Sequence, residues 1–110
     1  MYATKLMAHP ESKSAGGKAL KFDGNYLIFP DGRVWTTHNK RFLTPIKRVN
    51  RDKIYYTYIL RGRKSYHINK LVWLHFGKHD IDYYIDVKNV THKNKNPLDF
   101  TIENLIESNH

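Results

Sequence analysis

The chain has 110 residues, enough for one domain and too few for two of ordinary size, and it contains no cysteine. A disulfide framework and thiolate zinc sites are thereby excluded, so any metal must be held by oxygen or imidazole. Net charge is +9, no apolar run approaches the roughly 20 residues of a membrane helix, and residues 1–17 lack the apolar core of a secretion signal. These features predict a cytoplasmic protein with no membrane partner.

The excess charge is concentrated. Between Arg33 and Lys70 stand eleven Lys or Arg residues and one acid, Asp52, whereas residues 1–32 carry four bases and three acids and residues 71–110 four bases and six acids. A basic surface on a small protein is the electrostatic footprint of a polyanion, most often nucleic acid. A solubilising face, or attraction to acidic lipid or protein, is the blander alternative.

Residues 1–24, with Pro10, Ser12, Ser14, Gly16 and Gly17, read as a flexible leader, and residues 25–110 as a single domain. Gly16-Gly17-Lys18 lacks both the spacing and the preceding strand of a phosphate loop. Tyr26 to Phe29 is a short apolar run, Pro30-Asp31-Gly32 is turn chemistry, and Arg33 to Thr37 returns as a second strand. Phe42 to Ile46 suggests a strand fragment broken by Pro45, which belongs on an edge. Ile54 to Leu60 is the clearest strand, with Ile54, Tyr56, Tyr58 and Leu60 on one side. Arg61-Gly62-Arg63 turns the chain and Lys64 to Ile68 pairs back. Ile68, Leu71, Val72, His75 and Phe76 then recur at helical spacing, with Gly77 placed to end the helix. Asp80 to Val90 is mixed, with Asp80, Asp82 and Asp86 exposed. Residues 94–99 form a polar loop, and Thr101 caps a short helix predicted from Ile102 to the end. The fold class is α+β: small antiparallel hairpins, a helix, and a C-terminal unit.

The informative stretch is Val90-Thr91-His92-Lys93-Asn94-Lys95-Asn96, followed by Asn104-Leu105, with Asn104 twelve residues after His92. This resembles the HNH homing endonucleases of phages, whose pattern runs V-[DN]-H-x-D-x-N, loop, N-L. Upstream, Tyr26-Leu27-Ile28 with Asp31-Gly32-Arg33-Val34-Trp35 is similar to the Y-x-I-S and G-x-V-[WY]-S segments of that group. Phe42-Leu43-Thr44-Pro45 is similar to its f-L-k-P segment, and His67 to Phe76 to its V-H-R-L-V-A-x-A-F helix, with Asn69 at the histidine position. The match spans residues 25–109 in order.

What the resemblance implies is a C-terminal ββα-metal unit around one Mg²⁺ or Mn²⁺ ion, with double-stranded DNA as partner. His92 would be the general base, since an imidazole titrates near neutral pH. Asn104 would hold the loop or the ring through an amide that both donates and accepts, and Asn94 and Asn96 would brace the loop or touch phosphate. Many members carry Asp before the histidine as a metal oxygen; here Thr91 stands there. The last motif residue of the family lies about nine residues beyond the middle Asn, and His110, six beyond Asn104, is the nearest candidate. Thr91 and His110 are therefore the expected metal positions, with Asp82, Asp86 or Asp99 as replacement oxygens.

Candidate DNA contacts are Arg33, Lys47, Arg48, Arg51, Arg61, Arg63, Lys64, Lys70 and Lys93, together with Asn94 and Asn96. Strands and hairpins of this kind can lie along duplex DNA with their cations on phosphates. Three functions are compatible with these residues. One is a metal-dependent DNA endonuclease, in the host cytoplasm if the gene is phage-borne. Another is a non-cleaving DNA-binding or interference protein of HNH descent. The third is an inhibitor whose basic face binds an acidic protein partner.

Overall fold

A computed structural model describes residues 16–77, 79 and 81–107. The expected leader's first fifteen residues, Asp80 and His110 lie outside the described residues.

Strands β1 (Lys18–Leu20), β2 (Asp23–Ile28), β3 (Val34–Thr36) and β4 (Arg41–Phe42) form one antiparallel sheet in sequence order. Within the segment expected as a leader, residues 18–20 form a strand: Leu20 is buried in the core, which draws β1 onto β2. Between β2 and β3 the chain reverses at Pro30-Asp31-Gly32, where the Gly32 amide donates to the Phe29 carbonyl at 2.9 Å. Gly32 sits at φ 94°, and a Cβ there would lie 2.4 Å from the Phe100 Cβ, so conformation and space both demand glycine.

A second sheet contains β5 (Ile46–Asn50), β6 (Lys53–Leu60) and β7 (Lys64–His67), again antiparallel and in sequence order. The fragment expected over Phe42 to Ile46 is instead divided between the two sheets, because Pro45 lacks an amide proton and Ile46 begins β5. On the inner face of β6, Tyr58 and Leu60 are buried, Tyr56 is half-buried, and Ile54 emerges at the open end.

Helix α1 (Ile68–Phe76) is only nine residues long, too short to be stable alone, and depends on its buried face. Ile68, Leu71 and Val72 are fully buried against Ile28, Val34, Tyr58 and Leu60. Gly77 ends the helix, as expected, in an extended conformation. It is needed for space: a Cβ would lie 2.7 Å from the Trp73 carbonyl oxygen.

The C-terminal unit pairs β8 (Val90–His92) with β9 (Leu105–Glu107), placing Leu105 opposite His92. The helix expected from Ile102 is a single 3-10 turn, Ile102–Asn104, and the chain then becomes a strand. Thr101 makes no side-chain cap; its hydroxyl donates to Asp99. With no capped start and only one turn, helix propagation loses to pairing with β8. β8 and β9 form a two-stranded antiparallel pair, and the described residues end at Glu107.

Buried His75 is fixed as the Nδ1–H tautomer. Its Nδ1 donates to the Leu71 carbonyl at 2.8 Å, while Nε2 accepts the Lys21 amide at 2.9 Å. Burial, with Lys21, Lys18 and His79 nearby, lowers its pKa from the usual 6.5 despite the opposing bond to Leu71. Unfolded chains therefore bind the proton first, and stability falls as pH drops below about 6.5. His67, held low by burial and by Lys70, acts in the same direction.

Thermal melts between pH 7 and 5 should show Tm falling with pH, and more shallowly in His75→Gln. Gly32→Ala should destabilise the fold by at least about 2 kcal/mol in chemical denaturation.

Candidate active site and nucleic-acid interface

His92 ends β8 with its ring edge-on to Phe100, 5.9 Å between centroids. Its Nδ1 lies 2.9 Å from the Asp99 carbonyl oxygen. A carbonyl can only accept, so Nδ1 carries the proton in the neutral ring and Nε2 keeps the lone pair. The ring lines an open cleft of about 830 Å³ beside Tyr55, His67, Asn69 and Thr91. One ring nitrogen is anchored, and the other makes no hydrogen bond among the described residues.

The loop that supplies the Asp99 carbonyl is held by asparagines. Asn104 is buried; its Nδ2 donates to Asn94 Oδ1 at 2.9 Å and to the Asp99 carbonyl at 3.0 Å, while its Oδ1 accepts the Asn94 amide at 3.0 Å. The Lys93 amide donates to the Asn104 carbonyl at 2.6 Å. Asn94 Oδ1 also accepts the Asn96 amide, and Asn96 Oδ1 the Leu98 amide. Asn94 and Asn96 are thus committed to the loop itself. From the helix side, Asn69 Nδ2 donates to the Val90 carbonyl, tying α1 to the strand that ends in His92.

The cleft opens onto the outer face of the second sheet. There Arg48 lies across three strands, donating from Nε to Thr57 Oγ1 and from Nη2 to Ser65 Oγ, both at 3.2 Å. Tyr55 stacks on His67 at 4.7 Å, and Lys53, Lys70 and Lys95 complete the cationic lining of the cleft. Arg51 is exposed at the β5–β6 turn beside it. Lys47 is exposed but paired with Tyr56, on the opposite face from Arg48. Arg63 and Lys64 lie at the far end of the sheet, and Lys93 is exposed on the His92 loop.

Two expected DNA contacts are already engaged. Arg33 pairs with Asp31 at 2.8 Å and packs over the Phe42 ring at 4.9 Å; Arg61 approaches Asp23 at 3.9 Å. His67, Tyr55, Asn69, Lys53 and Lys95 line the cleft although none is among the candidate DNA contacts named from the sequence. The stacking of Tyr55 on His67 follows from β6–β7 register, which no local pattern encodes.

Thr91 is exposed, and its hydroxyl donates to the Ile106 carbonyl at 3.4 Å. The Asp99 carboxylate is occupied: Oδ1 accepts the Thr101 hydroxyl and amide, and Oδ2 accepts from Asn94. The Thr101 bonds, with that from Asn94, hold its carboxyl below the usual range. Asp82 is paired with Lys21 at 3.6 Å. Among the described residues no three histidine or carboxylate side chains converge, and a hard divalent ion requires several oxygen ligands.

No family model matches the chain, and no curated protein matches it. Its fold is similar to that in a solved structure describing DNA binding and cleavage by the HNH homing endonuclease I-HmuI, with a TM-score of 0.63 and 22% identity. The match covers 81% of this chain and 49% of the other, so the chain spans about half the length of the protein it resembles. The fold is HNH-like.

Asn104→Ala should destabilise the protein by about 1–3 kcal/mol, because it strips partners from a buried polar network. Hydrogen exchange should show the greatest loss of protection at the Asn94 amide.

Proposed function

We propose that this chain binds duplex DNA across the outer face of β5–β7 and hydrolyses a phosphodiester in the adjoining cleft, with His92 as general base. The observation that carries the proposal is the anchored His92 ring, which lines the cleft with its Nδ1 held on the Asp99 carbonyl and its Nε2 outside that bond. Lys53, Lys70 and Lys95 supply positive potential for a phosphate there. His92 Nε2 takes a proton from water as the water oxygen bonds to phosphorus, and the bond from phosphorus to one sugar oxygen breaks, that oxygen leaving with the bonding pair and taking a proton from solvent water. The Asp99 carbonyl keeps its hydrogen bond to Nδ1 as the ring becomes cationic, so orientation is preserved through the step. The HNH-like fold supports the same reading, since the structure it resembles is that of a DNA-cleaving protein.

A second reading, a duplex-binding protein that does not cut, is favoured by Thr91 and by the occupied Asp99 carboxylate. Incubation with supercoiled plasmid in Mg²⁺, Mn²⁺ or EDTA separates the two. Under the first reading one of the metals supports nicking, EDTA abolishes it, and His92→Ala lowers the rate at least about 100-fold while duplex affinity is kept. Equal nicking by wild type and His92→Ala removes His92 from the mechanism. Duplex binding without nicking in either metal establishes the second reading.

A further inference from the structure

Four described residues other than glycine have left-handed backbone: Lys40 (φ 53°), Arg51 (61°), Arg63 (61°) and Lys95 (63°). All four are exposed, and all four are basic. Lys and Arg make up 19 of 110 residues, so four of four is far from their share. The region ordinarily favours glycine and asparagine, whereas a residue with a longer side chain lowers the folding equilibrium by roughly 5- to 30-fold.

In every case a better-suited residue stands one position earlier: Asn39, Asn50, Gly62 and Asn94 precede the four cations. Arg51 opens the two-residue loop between β5 and β6, since Asn50 pairs with Lys53, and such loops often take glycine at that place. Lys95 closes the turn whose amide returns to the His92 carbonyl at 3.1 Å, with Asn94 and Asn96 on either side. Among the described residues none of the four forms an ion pair, whereas Lys21, Arg33 and Arg61 do. Strain of this kind persists where a side chain serves something other than the fold.

Two of the four flank the His92 cleft. Lys95 lines it, and Arg51 immediately precedes Asp52 and Lys53, which line it from the opposite element. We infer that Arg51 and Lys95 form a phosphate clamp at the mouth of the cleft, holding the DNA backbone from both sides at the expense of stability. This rests on the duplex-binding reading and names the residues that grip the strand nearest His92.

The test is fluorescence anisotropy with a labelled mixed-sequence duplex over a range of NaCl, beside thermal melts, for wild type, Arg51→Gly, Lys95→Gly, Lys95→Asn and Lys21→Gln. Each clamp variant should melt at or above the wild-type temperature yet bind more weakly. The slope of log affinity against log salt should become shallower by about one per substitution. Lys21→Gln, which removes a charge tied to Asp82, should leave the slope unchanged. Wild-type slopes in the clamp variants, or a slope equally reduced in Lys21→Gln, overturn the clamp while duplex binding stands. If wild type shows no salt-dependent affinity for duplex, both the clamp and the duplex-binding reading fall.

Discussion

One backbone turn, Pro30 to Gly32, joins the three parts of this molecule. The Tyr58 hydroxyl, from the second sheet, donates to the Gly32 carbonyl at 2.9 Å, and the Ile102 amide, from the C-terminal unit, donates to the Pro30 carbonyl at 2.8 Å. Phe100 packs against the bare Cα of Gly32 and meets Tyr56 and His92 edge-on. Burial pushes the Tyr58 phenol well above its ordinary pKa, so it stays a donor throughout the neutral range. The position of His92 relative to the sheets is therefore set by main-chain carbonyls at a turn that only glycine can complete.

From that junction the chemistry divides between two surfaces of the second sheet. The inner face, with Tyr58 and Leu60, is consumed by packing against α1. On the outer face Arg48 spreads over Thr57 and Ser65, and Tyr55 stacks with His67. Cations tied to acids, Arg33 and Arg61, are held in place by those partners. Those beside the cleft sit at a strand end, in turns and in the first turn of α1, where a long side chain can reach a ligand without disturbing the sheet.

Much of the architecture was legible because its signals are local. Lys53–Leu60, the reversal at Pro30-Asp31-Gly32 and the 3.6-residue repeat from Ile68 all fell near their expected places. The HNH resemblance read in the sequence is matched at the level of the overall fold. What failed depended on partners far away in sequence. Ile46–Asn50 carries Lys47, Arg48 and an exposed Val49, so its pairing with β6 leaves no apolar alternation to read. Leu105–Glu107 is a strand only because Val90–His92 lies beside it; alone, Ile102 and Leu105 share a helical spacing. The acceptor for His92 is a main-chain oxygen, and the identity of residue 99 says nothing about it.

That last feature has an evolutionary side. Where a histidine is oriented by a carboxylate, one base change in the gene can erase the partner. Here the partner belongs to the peptide backbone, so every amino acid that could occupy position 99 would still present it. The orienting bond is written into the number of residues between His92 and position 99 and into the asparagines that shape the loop, rather than into one partner side chain. Drift by substitution can leave it standing, while an insertion or deletion of a single codon in that loop would move it out of reach.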